Sequence, residues 1–455
     1  MTRPRETYER LRAAHVSAVQ AALVDHVGRL DWSRDQIVGH QTDRLRSLLA
    51  YARERSPFHA RRLRGIDPSA VSAEDLAAVP MMTKGEAQDE WDAIVTVPDL
   101  SRERAEQILA EQQWFSYTPS DQQIFSSGGS SGVRGAYVWD WHFFVSAACL
   151  AWRMQAQEER RNPRSPARLA VVSAGTPPHA STPLFDVPTS PAMETVVIPA
   201  GAPIDEIIAS VAAAEPTHLV GYATMIGQLA RASLGGRLYI RPLRISTNSE
   251  PLLDEDRRAI REAWNAPVHN LWGSTEIGVQ AVGCACGEGL HVCEDEVVLE
   301  RVDDIGAPVG PDEPAARTLA TGLANRTFPF IRYDLGDQVN WLAEPCICGS
   351  AYARVADIGG RRDDDFQYTT ATIPASVFRY VLGTDPRVSE YQVHQTPRGA
   401  DVLAIGTPDV DALASSLVAA LRRQGLSDPE VTIRVVDRLQ RHEATGKLKR
   451  FIPLR

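Results

Sequence analysis

A short segment rich in glycine and serine is the part of the chain best suited to bind an anion. It runs Phe125-Ser-Ser-Gly-Gly-Ser-Ser-Gly-Val-Arg-Gly135 and precedes an apolar, aromatic run from Ala136 to Trp141. Consecutive glycines and serines allow several backbone N–H groups to converge on one point, as they do in phosphate cradles. A flexible linker has a similar composition, and the segment lacks the lysine that nucleotide-binding loops often carry. We therefore interpret it as a phosphate loop, with a linker as the alternative.

Three later segments carry polar side chains that could act together with such a loop. Residues 269–278 close a predicted strand and turn sharply at Gly273, and ligands bind at the carboxyl ends of strands in α/β sheets. Thr275 could donate to a phosphate there, and the next residue, a glutamate, could hold Mg²⁺. Further along, Asp337 could accept two hydrogen bonds from a diol, and Lys447 lies on a glycine turn. These residue types suit a site for a phosphorylated ligand.

An alternation of apolar strands and amphipathic helices would position these segments. Strands are predicted over 169–173, 195–198, 218–222, 243–246 and 268–271, and helices over 204–214, 223–233 and 254–264. Such alternation is typical of an α/β fold with a parallel sheet.

The two ends of the chain are predicted to differ from this middle part. The first 110 or so residues look helical, with a helix that ends at Ser56-Pro57 and another that begins near Ser72. Residues 290–342 look rich in strands. Paired glycines and a charge run over 359–365 predict a domain boundary, and a small α+β domain with a helix over 410–423 follows.

Composition excludes several classes of function. The chain has 455 residues, of which 44% are hydrophobic and 23% charged, with a formal net charge of -10. That charge argues against sequence-independent binding to nucleic acid or to an anionic membrane. No apolar run approaches the roughly 20 residues that span a bilayer, and no apolar segment near Met1 predicts a secretory signal. We therefore expect a cytoplasmic protein.

The order of the polar segments resembles that of the adenylate-forming superfamily, and within it the phenylacetate–CoA ligase branch. The resemblance covers nearly the whole chain and is carried by Leu48–Phe58, Leu76–Lys84, Ser249–Leu252, Trp272–Glu276 and Thr321–Asp337. It implies a large multi-layer α/β N-terminal domain over residues 1–360. It also implies a small, mobile α+β C-terminal domain over residues 361–455, which carries the catalytic lysine.

The resemblance also implies a role for individual residues. The implied catalytic residues are Lys447, Thr275 and Glu276, of which Glu276 would also bind Mg²⁺. The implied nucleotide-binding residues are Ser127, Gly128, Gly129, Ser130, Ser131, Gly132, Arg134, Ser249, Glu250, Pro251, Trp272, Gly273, Ser274, Asp337 and Arg361. The implied substrate residues are Tyr222, Gly273 and Gly278, and Asp363 would be the hinge.

Five of the six cysteines are clustered in two places, which favours a metal site over a disulfide scaffold. Relatives in the phenylacetate–CoA ligase branch have a similar pattern, which implies a structural Zn²⁺ bound by Cys284, His291, Cys346 and Cys348. Cys286 could replace either of the first two ligands. A set of small buried thiols is the alternative.

The activity that the resemblance implies is ATP-dependent adenylation of a small, aromatic carboxylic acid with release of pyrophosphate, followed by acyl transfer to CoA or to a carrier-protein thiol. Two departures leave the acceptor open. Val133-Arg134 stand where the family usually has Lys-Pro, and residues 366–374 lack the glycines that often line the pantetheine tunnel. An amine acceptor, a non-carboxylate substrate and an inactive nucleotide-binding homologue are the alternatives. A homodimer is compatible with the sequence.

Overall fold

The computed structural model describes residues 5–454, except for 113, 128–134, 162–166, 176, 191, 285, 287–288, 311–312 and 443–444. The helices in chain order are α1 (Arg5–Gly28), α2 (Arg34–Arg55), α3 (Pro57–Arg62), α4 (Lys84–Asp89), α5 (Trp91–Ile94), α6 (Arg102–Glu111), α7 (Trp141–Arg161), α8 (Ser181–Phe185), α9 (Ile204–Ala214), α10 (Ala223–Leu234), α11 (Asp254–Trp264), α12 (Ala375–Thr384) and α13 (Val410–Arg423). Short 3₁₀ helices cover Arg29–Asp31, Glu74–Ala78 and Arg362–Asp364.

The strands belong to one large sheet and several smaller ones. In chain order they are β1 (Gln123–Ser126), β2 (Ala136–Trp139), β3 (Arg168–Ser173), β4 (Glu194–Pro199), β5 (His218–Tyr222), β6 (Arg244–Asn248), β7 (Val268–Ser274), β8 (Gly278–Gly283), β9 (Leu290–Val292), β10 (Val297–Val302), β11 (Arg317–Gly322), β12 (Tyr333–Asp334), β13 (Trp341–Leu342), β14 (Arg354–Val355), β15 (Phe366–Gln367), β16 (Thr372–Ile373), β17 (Val388–Thr396), β18 (Gly399–Gly406), β19 (Glu430–Val435) and β20 (Phe451–Ile452).

The large sheet has the order β13-β14-β9-β8-β7-β6-β5-β3-β4. Its strands β4, β3, β5, β6 and β7 are parallel, and the remaining strands continue the sheet in antiparallel pairs. The parallel strands are short apolar runs because helices cover both of their faces. Ala170 and Val172 of β3 pack with α9, α10 and α11, whereas Leu169 and Val171 belong to the core that contains α7. Burying each such aliphatic side chain contributes roughly 1.5–3 kcal/mol.

The α/β class predicted from the strand–helix alternation is confirmed. The predicted helices over 204–214, 254–264 and 410–423 match α9, α11 and α13 at both ends, and the predicted strands overlap β3 to β7. The helix predicted from Ser72 is wrong, because only the 3₁₀ helix Glu74–Ala78 forms there. The following Val79-Pro80 stops it, since a residue before proline is disfavoured in the α conformation.

The elements after residue 361 have a hydrophobic core of their own, and we call residues 361–455 the C-terminal unit and the preceding residues the N-terminal unit. Its sheet has the order β19-β18-β17-β20, with α12 and α13 packed on it. Phe366, Phe378 and Phe451 lie in this core. The Asp409 side chain caps α13 by accepting a hydrogen bond from the Ala412 N–H.

Within the described part of the chain, no helix combines the length and the apolar character needed to cross a membrane.

Candidate active site at the carboxyl ends of the strands

The ends of three neighbouring parallel strands bring several of the predicted residues to one edge of the sheet. Strand β5 ends at Tyr222, β6 is followed directly by Ser249 and Glu250, and β7 ends at Ser274. These strands pair side by side in parallel. Residues that follow their carboxyl ends therefore face a common crevice, where ligands of open α/β sheets bind.

The turn between β7 and β8 follows Ser274, so the prediction of a sharp turn at Gly273 is wrong. Gly273 pairs with Val279 and lies inside the strand. The Ser274 hydroxyl closes the turn by accepting hydrogen bonds from the Ile277 N–H at 3.2 Å and from Gln280 Nε2 at 2.8 Å. A glycine is needed at 273 because a Cβ there would lie 2.9 Å from the Gly278 carbonyl oxygen.

Aromatic side chains fix the other side of this turn. Gly278 has φ +85°, and a Cβ there would lie 3.1 Å from the Phe143 ring. The indole N–H of Trp139 donates to the Thr275 carbonyl at 2.8 Å. Thr275 is thus held by its backbone, with its side chain partly exposed at the strand ends.

Glu276 is buried beside two tyrosines that sequence reasoning missed. The hydroxyls of Tyr137 and Tyr333 donate to its Oε1 at 2.8 and 3.1 Å. Burial, reinforced by the negative charge of Glu276, raises the pKa of both tyrosines above the ordinary value, which keeps them neutral donors. A carboxylate oriented by two such donors is a suitable oxygen ligand for Mg²⁺.

Trp272, Asp337 and Arg361 form one hydrogen-bonded group. The indole N–H of Trp272 donates to Asp337 Oδ2 at 2.9 Å, and Arg361 Nε donates to Asp337 Oδ1 at 3.0 Å. The charge of Asp337 raises the pKa of the Arg361 guanidinium above its ordinary value, against the effect of burial. A carboxylate has about four lone-pair sites, so Asp337 retains acceptor capacity for a diol.

Lys447 reaches this edge of the sheet from the C-terminal unit. Its Nζ lies 4.9 Å from the centroid of the Tyr222 ring, and burial lowers the pKa of the ammonium while Glu250 opposes that effect. The preceding Gly446 has φ +70°, and a Cβ there would lie 2.3 Å from the Ala200 carbonyl oxygen. Only glycine allows the C-terminal unit to approach so closely at this point.

Tyr222 and Glu250 both have their polar atoms engaged within the protein. The Tyr222 hydroxyl accepts a hydrogen bond from the Ala174 N–H at 2.9 Å, and burial raises its pKa to about 12. Glu250 follows Ser249, which has φ 63°. Its carboxylate accepts hydrogen bonds from the Thr224 hydroxyl at 2.7 Å and from the Leu448 N–H at 3.0 Å.

The chain as a whole resembles known proteins in sequence and in fold. No family model matches the chain. Over 386 residues it is 24% identical to the phenylacetate-coenzyme A ligase of Thermus thermophilus, which covers 79% of this chain and 78% of that protein. A region of 156 residues is 30% identical to protein CapK of Staphylococcus aureus, covering 34% of this chain and 33% of that one.

A solved structure gives the same fold over almost the full length. The 2-hydroxyisobutyryl-CoA ligase in its postadenylation state, in complex with 2-HIB-AMP, superposes with a TM-score of 0.73 at 17% identity, covering 94% of this chain and 91% of that one. The chain therefore has the fold of that ligase, and its sequence resembles that of a phenylacetate-coenzyme A ligase over most of its length. The resemblance inferred from five ordered motifs is thereby confirmed.

Most of the predicted phosphate loop, Gly128 to Gly132 together with Arg134, lies outside the described residues. The described Ser127 closes the base of the loop, because its N–H donates to the Gly135 carbonyl at 3.2 Å. Lys84 Nζ donates to the Ser127 hydroxyl at 3.4 Å, and burial lowers its pKa. Helix α4 therefore brings a lysine to the base of the predicted loop. The Thr83-Lys84 pair was visible in the sequence, but its distance from the loop was not.

The structure brings together the four cysteine and histidine residues that the sequence predicted as zinc ligands. The Sγ atoms of Cys284 and Cys346 lie 3.6 Å apart, and Cys348 Sγ lies 3.4 Å from His291 Nε2. All four ligand atoms lie within 4.8 Å of one another, and ligands of a tetrahedral zinc ion lie about 3.8 Å apart. Cys286 is exposed and outside this group. The donor set and its spacing thus fit a structural Zn²⁺.

A cavity of about 940 Å³ lies at the opposite, amino ends of the parallel strands. Arg244, at the start of β6, pairs there with Glu158, and His218 Nε2 lies 3.5 Å from Glu159 Oε1. None of the predicted site residues is among the described residues that line it. The cavity is therefore separate from the candidate active site.

Proposed function

We propose that the protein is an AMP-forming ligase that activates a small carboxylic acid with ATP and then transfers the acyl group to a thiol. The observation that carries the proposal is the position of Lys447, which the C-terminal unit places over Tyr222 at the strand ends. Glu276 and the Trp272–Asp337 pair lie at the same edge. The resemblance to a phenylacetate-coenzyme A ligase supports an aromatic acid as substrate.

In the first half-reaction a carboxylate oxygen of the acid attacks the α-phosphorus of ATP. A new oxygen–phosphorus bond forms, and the bond to the β-phosphate bridging oxygen breaks to release pyrophosphate. Negative charge develops on the phosphate oxygens, so the protein contributes positioned cations and donors rather than a nucleophile. We assign this stabilisation to Lys447, with Thr275 donating to the α-phosphate.

Glu276 would hold the Mg²⁺ ion, and its orientation by the hydroxyls of Tyr137 and Tyr333 suits that role. The ion would supply positive charge to the phosphates. Trp272 would lie beside the adenine, with Asp337 binding the ribose hydroxyls. Because Arg361 balances the charge of Asp337, that carboxylate can stay ionised in a buried position.

In the second half-reaction the thiolate attacks the acyl carbon and AMP leaves with the carbon–oxygen bonding pair. We propose that residues 361–455 are the mobile domain and that Asp363, in the 3₁₀ helix Arg362–Asp364, is its hinge. The separate core of this unit supports such a division.

The segment after the proposed hinge is compatible with a thiol acceptor. Phe366 is fully buried in the core of the C-terminal unit, and the Tyr368 hydroxyl donates to the Gly399 carbonyl at 2.6 Å. Both large side chains are thus directed into the unit, so the lack of glycine in residues 366–374 does not by itself narrow the approach to the site. CoA, the acceptor in the name of the curated relative, is our proposed acceptor ahead of a carrier-protein thiol.

Pyrophosphate exchange into ATP, measured over a panel of aromatic and short aliphatic acids, tests the proposal. We expect exchange with at least one acid and a fall of about 100-fold or more in Lys447→Ala, because one positioned donor contributes about that much to such reactions. Lys449→Ala, which changes the next lysine of the segment, should retain exchange.

Mass spectrometry of reactions that contain CoA then identifies the acceptor. A CoA thioester is the expected product. Pyrophosphate exchange without a CoA thioester would contradict CoA as the acceptor and favour a carrier protein or an amine. A protein that neither binds ATP nor shows pyrophosphate exchange with any acid would contradict adenylation.

A further inference from the structure

The backbone on both sides of Lys447 is held by hydrogen bonds. On one side the Gly446 carbonyl accepts a hydrogen bond from Arg441 Nη1 at 3.1 Å. On the other side the Leu448 N–H donates to Glu250 Oε1 at 3.0 Å. The backbone of the residue before Lys447 and that of the residue after it are therefore both fixed, which limits the directions that the lysine side chain can take.

Thr224 contacts both of the side chains that form these hydrogen bonds, Glu250 and Arg441. Its hydroxyl donates to Glu250 Oε2 at 2.7 Å and accepts from Arg441 Nη1 at 3.0 Å. Its N–H donates to the same Glu250 oxygen at 3.0 Å. Thr224 lies in the first turn of α10, two residues after Tyr222, and is 2% exposed. The buried Thr224 hydroxyl thus connects the hydrogen bonds on both sides of Lys447 to the carboxyl end of β5.

The second terminal nitrogen of the Arg441 guanidinium, Nη2, also forms a hydrogen bond. Nη2 donates to Glu390 Oε1 at 2.7 Å, and Gln228 Nε2 donates to Glu390 Oε2 at 2.8 Å. Glu390 belongs to β17 and is 2% exposed. The planar guanidinium therefore contacts Thr224, Gly446 and Glu390 together, which an ammonium on a flexible stem could not do with the same geometry.

We propose that Thr224, Glu250 and Arg441, which we call the lysine bracket, position Lys447 for adenylation. This inference rests on the proposed function. Thr224 and Glu250 belong to the N-terminal unit and Arg441 to the C-terminal unit, so the bracket forms only when the C-terminal unit lies over the strand ends. It consequently selects the adenylating orientation and opens before acyl transfer.

Thr224→Val tests the bracket because it removes the shared hydroxyl and keeps the shape of the side chain. Misplacement of a catalytic group by about 1 Å can cost roughly 100-fold, so we expect pyrophosphate exchange to fall about 10- to 100-fold. Thr224→Ser, which restores a hydroxyl, should recover most of the activity. Arg398→Gln changes an exposed arginine of the C-terminal unit and should behave like the wild type.

Two further measurements separate positioning from a general loss of structure. Transfer to a thiol from chemically synthesised acyl-adenylate should not fall in Thr224→Val, because that step does not use the bracket. In a Lys447→Ala background, Thr224→Val should produce no additional fall in exchange. Loss of transfer, or an additional fall as large as in the wild type, would overturn the positioning role.

Hydrogen–deuterium exchange of residues 445–450 tests the bracket without any substrate. We expect Thr224→Val to speed exchange in this segment while Arg398→Gln does not. Unchanged exchange in Thr224→Val would show that the bracket does not hold the lysine segment. A different result would contradict the proposed function: the wild type would show no pyrophosphate exchange with any acid, although Thr224→Val speeds deuterium exchange. The bracket would then hold the lysine segment without serving adenylation.

Discussion

Asp337 is the residue at which two of the proposed nucleotide contacts meet. Its carboxylate accepts hydrogen bonds from the Trp272 indole at 2.9 Å and from Arg361 at 3.0 Å. The indole is thereby fixed in plane, and the guanidinium is held where it balances a buried negative charge. A change at this position should alter nucleotide binding more than the reaction step.

We expect Asp337→Asn to raise the KM for ATP about 10- to 100-fold, since a hydrogen bond to a charged group contributes roughly 1.5–3 kcal/mol. The amide would retain one acceptor for Trp272 or Arg361 but lose the charge. Steady-state kinetics with ATP varied would measure the effect. The exposed Asp428→Asn serves as control, and an unchanged KM for ATP in Asp337→Asn would contradict the assigned role.

The order of the motifs was sufficient to predict Trp272, Asp337 and Lys447 as candidates, because each lies in a short recognisable segment. Their partners could not be predicted in the same way. Tyr137 and Tyr333 lie 139 and 57 positions from Glu276, and neither has a local signal. Such contacts depend on how β2, β7 and β12 are arranged in space, which a single sequence does not encode in any short pattern.

Among the elements, the parallel strands and their helices were the most predictable. Each is a short apolar or amphipathic run between turn residues, so its periodicity is visible in the sequence. The antiparallel extension runs through β8, β9, β14 and β13, of which only β9 and β13 lie in the region 290–342 that is predicted to be rich in strands. Its strands have two to six residues, and their order in the sheet is set by long-range pairing.

The proposed zinc ligands connect the β8–β9 hairpin, which carries Cys284 and His291, to the segment between β13 and β14, which carries Cys346 and Cys348. Removing one ligand should therefore loosen that end of the sheet. We expect about one zinc ion per chain in the wild type and in Cys286→Ser, and loss of the metal in Cys346→Ser. Elemental analysis of purified protein would measure this. Cys346→Ser should also lower Tm, and because the N-terminal unit is large, each kcal/mol lost should shift Tm by less than about 2–4 °C, the shift expected for a domain of 150–250 residues.

Equal metal content in Cys286→Ser and Cys346→Ser would contradict the ligand assignment. Zinc well below one ion per chain in the wild type would contradict the metal site itself, in favour of a group of small buried thiols.

At the scale of the whole molecule, the N-terminal unit buries several histidines that remain neutral. Burial lowers the pKa of His59 and His26 to about 3 and that of His15 and His218 to about 4. The unfolded chain would protonate each of them near pH 6.5. Below that pH the unfolded state binds more protons than the folded state, so this contribution to stability is lost as the pH falls.

We expect the denaturant midpoint of the wild type to fall between pH 6.5 and pH 4.5, and the fall to be smaller in His59→Gln. His59 is fully buried and hydrogen-bonded through Nε2 to the Pro329 carbonyl at 2.9 Å. One such group changes the free energy of unfolding by at most about 1.4 kcal/mol per pH unit. The exposed His142→Gln is the matched control, and an equal pH dependence in His59→Gln and the wild type would contradict this account.

The cavity of about 940 Å³ at the amino ends of the parallel strands has a consequence for inhibition. The strands that separate it from the candidate active site are five to seven residues long, which corresponds to about 16–23 Å of extended chain. At that distance a small compound bound in the cavity would not overlap ATP or the acid at their proposed site. Its kinetic signature would be a lower kcat with little change in the KM for ATP, and raising the concentration of either substrate would not relieve it.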